Sequence, residues 1–208
     1  MTLVDLTRRV ESDMPTYPGD PPVSVESHAE FDTDGYRVSR LELGTHTGTH
    51  VDAPAHTEPD GATLDAFSVE DFRVTTRLVD CRDAGANGLV SPDAIPTNLD
   101  PTTDCLVFRT GWEAEWGTDR MADHPALAPE TGRWCAERGL AVGIDALSPD
   151  PTGGDDVPVH HAVLGAGRFI VENLRGLDAL PTDRPFELFV LPLRVDADGA
   201  PARVVAEV

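Results

Sequence analysis

Lysine is absent from the chain: all sixteen basic residues are arginine, set against 37 Asp and Glu, for a formal charge of −21. No basic patch interrupts that acidity, which excludes the usual way of gripping nucleic acid phosphates. The acid surplus fits the solvated shell of a halophilic protein, because concentrated salt screens self-repulsion within a few ångströms. A basic protein partner is the other reading. Cysteine is scarce as well. Cys81, Cys105 and Cys135 are far apart, odd in number and form no CxxC, so neither a disulfide framework nor a zinc ribbon is indicated. Cys81 and Cys105 lie in apolar runs and read as small core residues. Long apolar runs are missing too. The opening MTLVDLTRRV lacks the apolar stretch of a signal peptide, and no segment reaches bilayer-spanning length, so a cytoplasmic protein without membrane contact is expected. There is no internal repeat, no low-complexity block and no G-x-S-x-G elbow, and no cysteine neighbours a histidine.

What is present is a chain of 208 residues, 40% apolar, with apolar runs alternating with turn signals from end to end. Such a chain can bury a substantial core as one α/β domain spanning residues 1–208. TLVDLT, YRVSRLELG, TTRLVDCR, DCLVFRTG, LAVGIDAL, RFIVENL, FELFVLPLRV and ARVVAEV read as strands. Several are continuously apolar, as in sheets covered on both faces. Helices are fewer. The clearest spans Pro129 to Arg138, where Gly139 supplies a stop. A short one is expected from His160 to Leu164, and LVSPDAIP adds another turn. The loops PDGATLDA, NLDPTTD and SPDPTGGDDVP join strands of one strand-rich domain.

The segment HTGTHVDAPAH, His46 to His56, holds three of the seven histidines and one aspartate. His46, His50, Asp52 and His56 all occupy even positions, so an extended backbone would turn four candidate ligands to one face. Gly, β-branched Thr and Pro54 make poor helix material. In a flat strand His46 and His50 would stand roughly 13 Å apart, too far to share an ion at metal–nitrogen bonds of about 2.0–2.1 Å. The chain must therefore bend, and Gly48 supplies the freedom. Three ligands leave an open position, as a catalytic metal needs. Further donors stand in VHHAVLGAGRFIVENL. Glu172 lies in an apolar strand where an unpaired carboxylate is costly. It could join the metal, or pair with Arg168 or Arg175. Spacing alone does not choose between His160 and His161.

HTGTHVDAPAH resembles the H-x-G-T-H-x-D-x-P-x-H signature of the cyclase-like metal hydrolases, a family that includes bacterial kynurenine formamidases and, more distantly, isatin hydrolases. The likeness extends to MPTYPGDPP, FRTGW, AVGIDALSPDP and IVENL, most of the chain. It implies a swivelling β/β/α fold, a homodimer or larger homo-oligomer, and two divalent metals. One would be held by His46, His50 and Asp52, the other by Asp52, His160 and Glu172. His161 would then be structural. The same resemblance makes His56 the proton donor and acceptor. It puts Tyr17 where formamidases often carry a substrate-facing tryptophan. Donors of this kind suit zinc, manganese or iron.

The implied activity is hydrolysis of a small-molecule amide, arylformamide first, by metal-activated water, with His56 moving the proton. Two alternatives remain: the same site acting on a lactam, lactone or carbamate, and a binding protein that keeps its metals for stability. In the latter, His56 would have no purpose.

Overall fold

The computed structural model describes residues 1–154 and 156–208; Asp155, in the loop SPDPTGGDDVP, lies outside the described residues. In chain order the elements are β1 (Leu3–Asp5), β2 (Ser24–Ala29), α1 (Phe31–Asp34), β3 (Val38–Glu42), β4 (His50–Asp52), β5 (Arg73–Asp80), β6 (Leu89–Val90) and β7 (Cys105–Arg109). Then follow β8 (Ala126–Leu127), α2 (Pro129–Glu137), β9 (Ala141–Ile144), α3 (Pro158–Gly165), β10 (Ile170–Glu172), β11 (Phe186–Pro192) and β12 (Gly199–Glu207). Short 3-10 turns fill many of the connections, including Pro54–His56 and Pro92–Ala94.

The main sheet runs β1-β12-β11-β5-β7-β9-β10-β4, and a further pairing of β12 with β4 closes seven of its strands into a barrel. β5, β7, β9 and β10 are parallel neighbours. β4 and β12 close the ring antiparallel, with β1 extending from the edge of β12. This is the strand-rich α/β architecture that the alternation of apolar runs implies.

The period of two along each strand sorts residues between two cores. Val51, Val74, Leu78, Cys105, Val107, Val171, Leu188 and Val204 fill the barrel interior. Leu106, Phe108, Val142, Ile144 and Ile170 face outward and are covered by Cys135 of α2 and by Val159 and Val163 of α3. Both sides of the parallel strands are therefore apolar, which is why they read as continuous runs. The three cysteines are buried and unpaired.

Two local readings are corrected. His46 to His56 is not one extended segment: only His50–Asp52 is strand, and His56 ends a 3-10 turn opened by Pro54. The segment SVESHA forms β2, which the sequence reading passes over; it pairs with β3 as a two-stranded arm outside the barrel. Every residue of β3 is exposed, so polar and apolar positions there carry no inside–outside pattern.

Candidate metal centre

Register places the site. β4 pairs with β10 so that His50 faces Glu172 and Asp52 faces Ile170 across the ladder. Residues opposite one another share a face, and Ile170 belongs to the outer core. His50, Asp52 and Glu172 thus emerge on the outer face of the barrel. α3 brings His160 over them: its Nε2 lies 3.3 Å from Glu172 Oε1 and 3.7 Å from Asp52 Oδ2. His50 Nε2 lies 3.2 Å from Asp52 Oδ1 and 3.4 Å from Glu172 Oε2.

The bend expected before His50 falls at Gly48, whose φ of 61° is left-handed and whose absent Cβ would stand 2.9 Å from Met14 Cε. It turns His46 back over the strand, where Nδ1 donates to Asp52 Oδ1 at 2.7 Å. Gly199 admits that ring, since a Cβ there would sit 2.8 Å from His46 Cε1. His56 stacks on His46 with ring centroids 4.0 Å apart and stands 5.6 Å from the His160 ring. The six residues singled out between His46 and Glu172 therefore meet at one place.

His46, His50 and His160 each have one ring nitrogen engaged from outside the cluster. His50 Nδ1 donates to the Gly48 carbonyl at 2.8 Å, and His160 Nδ1 donates to Asp150 Oδ2 at 2.7 Å. His46 Nε2 donates to Asp198 Oδ2 at 2.8 Å. Outer acceptors of this kind fix ring orientation and leave the other nitrogen facing the carboxylates. Asp150 also accepts the backbone N–H groups of Val159 and His160, capping α3 from the loop that leads into it. Asp150, though inside AVGIDALSPDP, and Asp198 are not singled out in the sequence, because each stands in an Asp-rich turn.

Three buried atoms of the cluster, His50 Nε2, Asp52 Oδ2 and Glu172 Oε1, have no hydrogen-bond partner although they converge on one spot. Orphaned atoms of this type are costly in a protein interior. Their donor atoms form two overlapping sets within 4.8 Å, His46–Asp52–His56 and His50–Asp52–Glu172, with Asp52 common to both. The imidazole and carboxylate chemistry fits a divalent metal. Glu172 faces histidines and no arginine among the described residues.

The electrostatics follow from this crowding. Burial opposes charge on His46, but its bonds to Asp52 and Asp198 carry its pKa up to about 9. Burial likewise opposes charge on His50 and His160, and the surrounding carboxylates raise both nonetheless. Asp52 is held well below the usual carboxylate range against its burial, by the charge of His50, by the nearby His160 imidazole and by the bond from His46. His56 goes the other way: burial pushes it down. Its Nδ1 lies 3.4 Å from Asp198 Oδ2.

A cavity of about 260 Å³ opens onto the cluster, with Tyr17, Asp20, Leu147, Val157 and Asn173 among its walls. The Tyr17 hydroxyl accepts the Gly153 N–H at 3.1 Å, pinning the ring to the loop opposite. His161 points away, with Nδ1 2.9 Å from Glu58 Oε1 at the surface.

A closed sheet that gathers imidazoles and carboxylates at the floor of a small cavity defines the site of a metal-dependent hydrolase. The cyclase family model matches residues 4–151, and the chain belongs to that family. It is 33% identical over 208 residues to the kynurenine formamidase of Bordetella pertussis, covering 98% of this chain and 96% of that one. Among solved structures, isatin hydrolase A from Labrenzia aggregata, bound to benzyl benzoate, superposes with a TM-score of 0.87 at 26% identity, over 99% of this chain and 93% of that one. A potential metal-dependent hydrolase with cyclase activity gives a TM-score of 0.81 at 27% identity, covering 99% and 96%.

Proposed function

We propose that this protein hydrolyses the C–N bond of a small arylformamide, with two divalent ions, zinc or manganese, resident in the cluster. The observation that carries the reading is the set of orphaned donor atoms on Asp52, His50 and Glu172 at the floor of the cavity. His46, His50 and Asp52 would hold one ion, and Asp52, His160 and Glu172 the other. Bound there, the ions would make water a nucleophile at neutral pH and polarise the substrate carbonyl. His56 takes the proton from the attacking water and delivers it to the leaving nitrogen. With Nδ1 turned to Asp198, its Nε2 is the atom that faces the reaction. Tyr17, Leu147 and Val157 offer an apolar wall to the aryl ring.

Amides are favoured by the formamidase relatives, and the isatin hydrolase likeness favours a second reading, hydrolysis of a lactam in the same site. Turnover of a panel of arylformamides, lactams, lactones and carbamates by metal-loaded protein, assayed in concentrated salt, tests both. The highest kcat/KM is expected for an arylformamide. If no compound turns over and metal removal only lowers the melting temperature, the metals serve stability and the hydrolase reading fails.

The chain would act as a single 1–208 domain in a homodimer, its two-stranded arm with exposed Tyr36, Val38 and Leu41 supporting contact with a second copy. Among the described residues no helix is long and apolar enough to cross a membrane. We place the protein in the cytoplasm of a salt-adapted cell, on the strength of its charge of −21 without lysine.

A further inference from the structure

One wall of the cavity is unlike the rest. Asn173, immediately after Glu172, is 3% exposed and lines the cavity, yet its side-chain Oδ1 is buried without a hydrogen-bond partner. A buried amide oxygen with nothing to accept is a standing cost, which a ligand's donor would remove.

The backbone is arranged to put that side chain there. Asn173 has a φ of 58°, one of three non-glycine residues among those described in the left-handed region. Asparagine tolerates this conformation better than most residues, but it is not the relaxed state of an extended chain. Three hydrogen bonds impose it. The Asn173 N–H donates to the Ala146 carbonyl at 3.1 Å, and the next N–H, of Leu174, donates to the Ile144 carbonyl at 3.0 Å. Thr49 Oγ1 donates to the Asn173 carbonyl at 2.8 Å. Asn173 follows the last residue of β10, and it and its neighbour Glu172 both line the cavity. Local strain held by a rigid frame beside reacting groups is a recurrent feature of functional sites.

We propose that Asn173 contacts the substrate and selects amides that carry an N–H. Its Oδ1 accepts the hydrogen of the scissile amide while the carbonyl is held at the cluster. The assignment rests on the amidase reading above and deepens it. In the reaction the C–N bond breaks and a C–O bond to water forms. One proton of that water reaches the leaving nitrogen through His56, and the original N–H stays on the amine. Asn173 therefore transfers nothing; it recognises a group that an ester lacks.

The test compares formanilide with phenyl formate, which has oxygen in place of the N–H, on the metal-loaded wild type and on Asn173→Gly. Glycine keeps the left-handed backbone without strain, so the variant is expected to fold, and its metal content and melting temperature are measured alongside. For Asn173→Gly, kcat/KM for formanilide should fall about 10- to 100-fold, the loss of one buried hydrogen bond. Its value for phenyl formate should stay near wild type, with metal content unchanged. An equal fall for both compounds would mean that Asn173 acts on the shared carbonyl or on the frame of the site, and would overturn the proposal. So would loss of metal, which would make Asn173 a ligand. A wild type that hydrolyses neither compound would instead bring down the amidase reading itself, before the variant is considered.

Discussion

His46 Nε2 and Asp198 Oδ2 lie 2.8 Å apart, joining the loop before β4 to the residue that precedes β12. The Asp198 carbonyl accepts the Ala53 N–H at 2.8 Å, so the carboxylate is positioned by the same ladder that closes the barrel. This bond leaves His46 Nδ1 facing Asp52. Asp198→Ala is therefore expected to weaken metal affinity about 10- to 100-fold, as loss of an outer partner typically does. Titration against a competing chelator measures it; wild-type affinity would show that Asp198 is incidental.

His56 tests the division between ligand and proton carrier. Its donor atom lies within 4.8 Å of those of His46 and Asp52, close enough to count as a ligand. Its neighbours, however, are fastened by outer acceptors at 2.7 to 2.8 Å, whereas its own contact with Asp198 is 3.4 Å. His56→Ala should keep its metal and lose at least ~100-fold in rate, within the range for acid–base groups. Loss of metal content would instead make it a ligand.

Glu172 stands between His50 and His160, 3.4 and 3.3 Å from their Nε2 atoms. Glu172→Gln keeps its shape and removes its charge. Metal occupancy and hydrolysis should fall together, and elemental analysis showing full occupancy would contradict a ligand role.

His124 supplies a pH dependence from outside the set of candidate ligands, although the charges of Glu172 and Asp150 also reach it. It is buried, with Nδ1–H donating to the Pro125 carbonyl at 2.9 Å and Nε2 accepting from Thr152 Oγ1 at 2.8 Å. Burial pushes its pKa below the ordinary 6.5. Between the folded value and 6.5 the unfolded chain binds more protons, so this group's contribution is complete above 6.5 and is lost as pH falls through the folded pKa. Replacing His124 with Gln should narrow the difference in melting temperature between pH 7.5 and pH 5.5. An unchanged difference would assign the acid sensitivity elsewhere.

The sequence carries much of this site, but unevenly. The even spacing of His46, His50, Asp52 and His56 is legible because the donors are local in the chain, and the required bend falls at Gly48. His160 and Glu172 carry only a weak local signal, a polar group in an apolar stretch; their partner choice depends on a pairing of β4 with β10 across more than a hundred residues. Asp150 and Asn173 fall within AVGIDALSPDP and IVENL, but their roles, like that of Asp198, come from tertiary position. The barrel's interior strands are readable from apolar runs and β3 falls within YRVSRLELG, whereas β2, with Ala29 its one buried residue, has no apolar run to read. Closure through β12 is a long-range event that no short window encodes.

Asp52 is fully buried and common to both sets of donor atoms, so it bears most directly on whether this is a paired metal centre. Direct metal analysis of reconstituted wild type and Asp52→Ala, both checked for folding, decides the matter. Two divalent ions per chain are expected in the wild type and none firmly held in the variant; equal metal in both proteins would contradict the account.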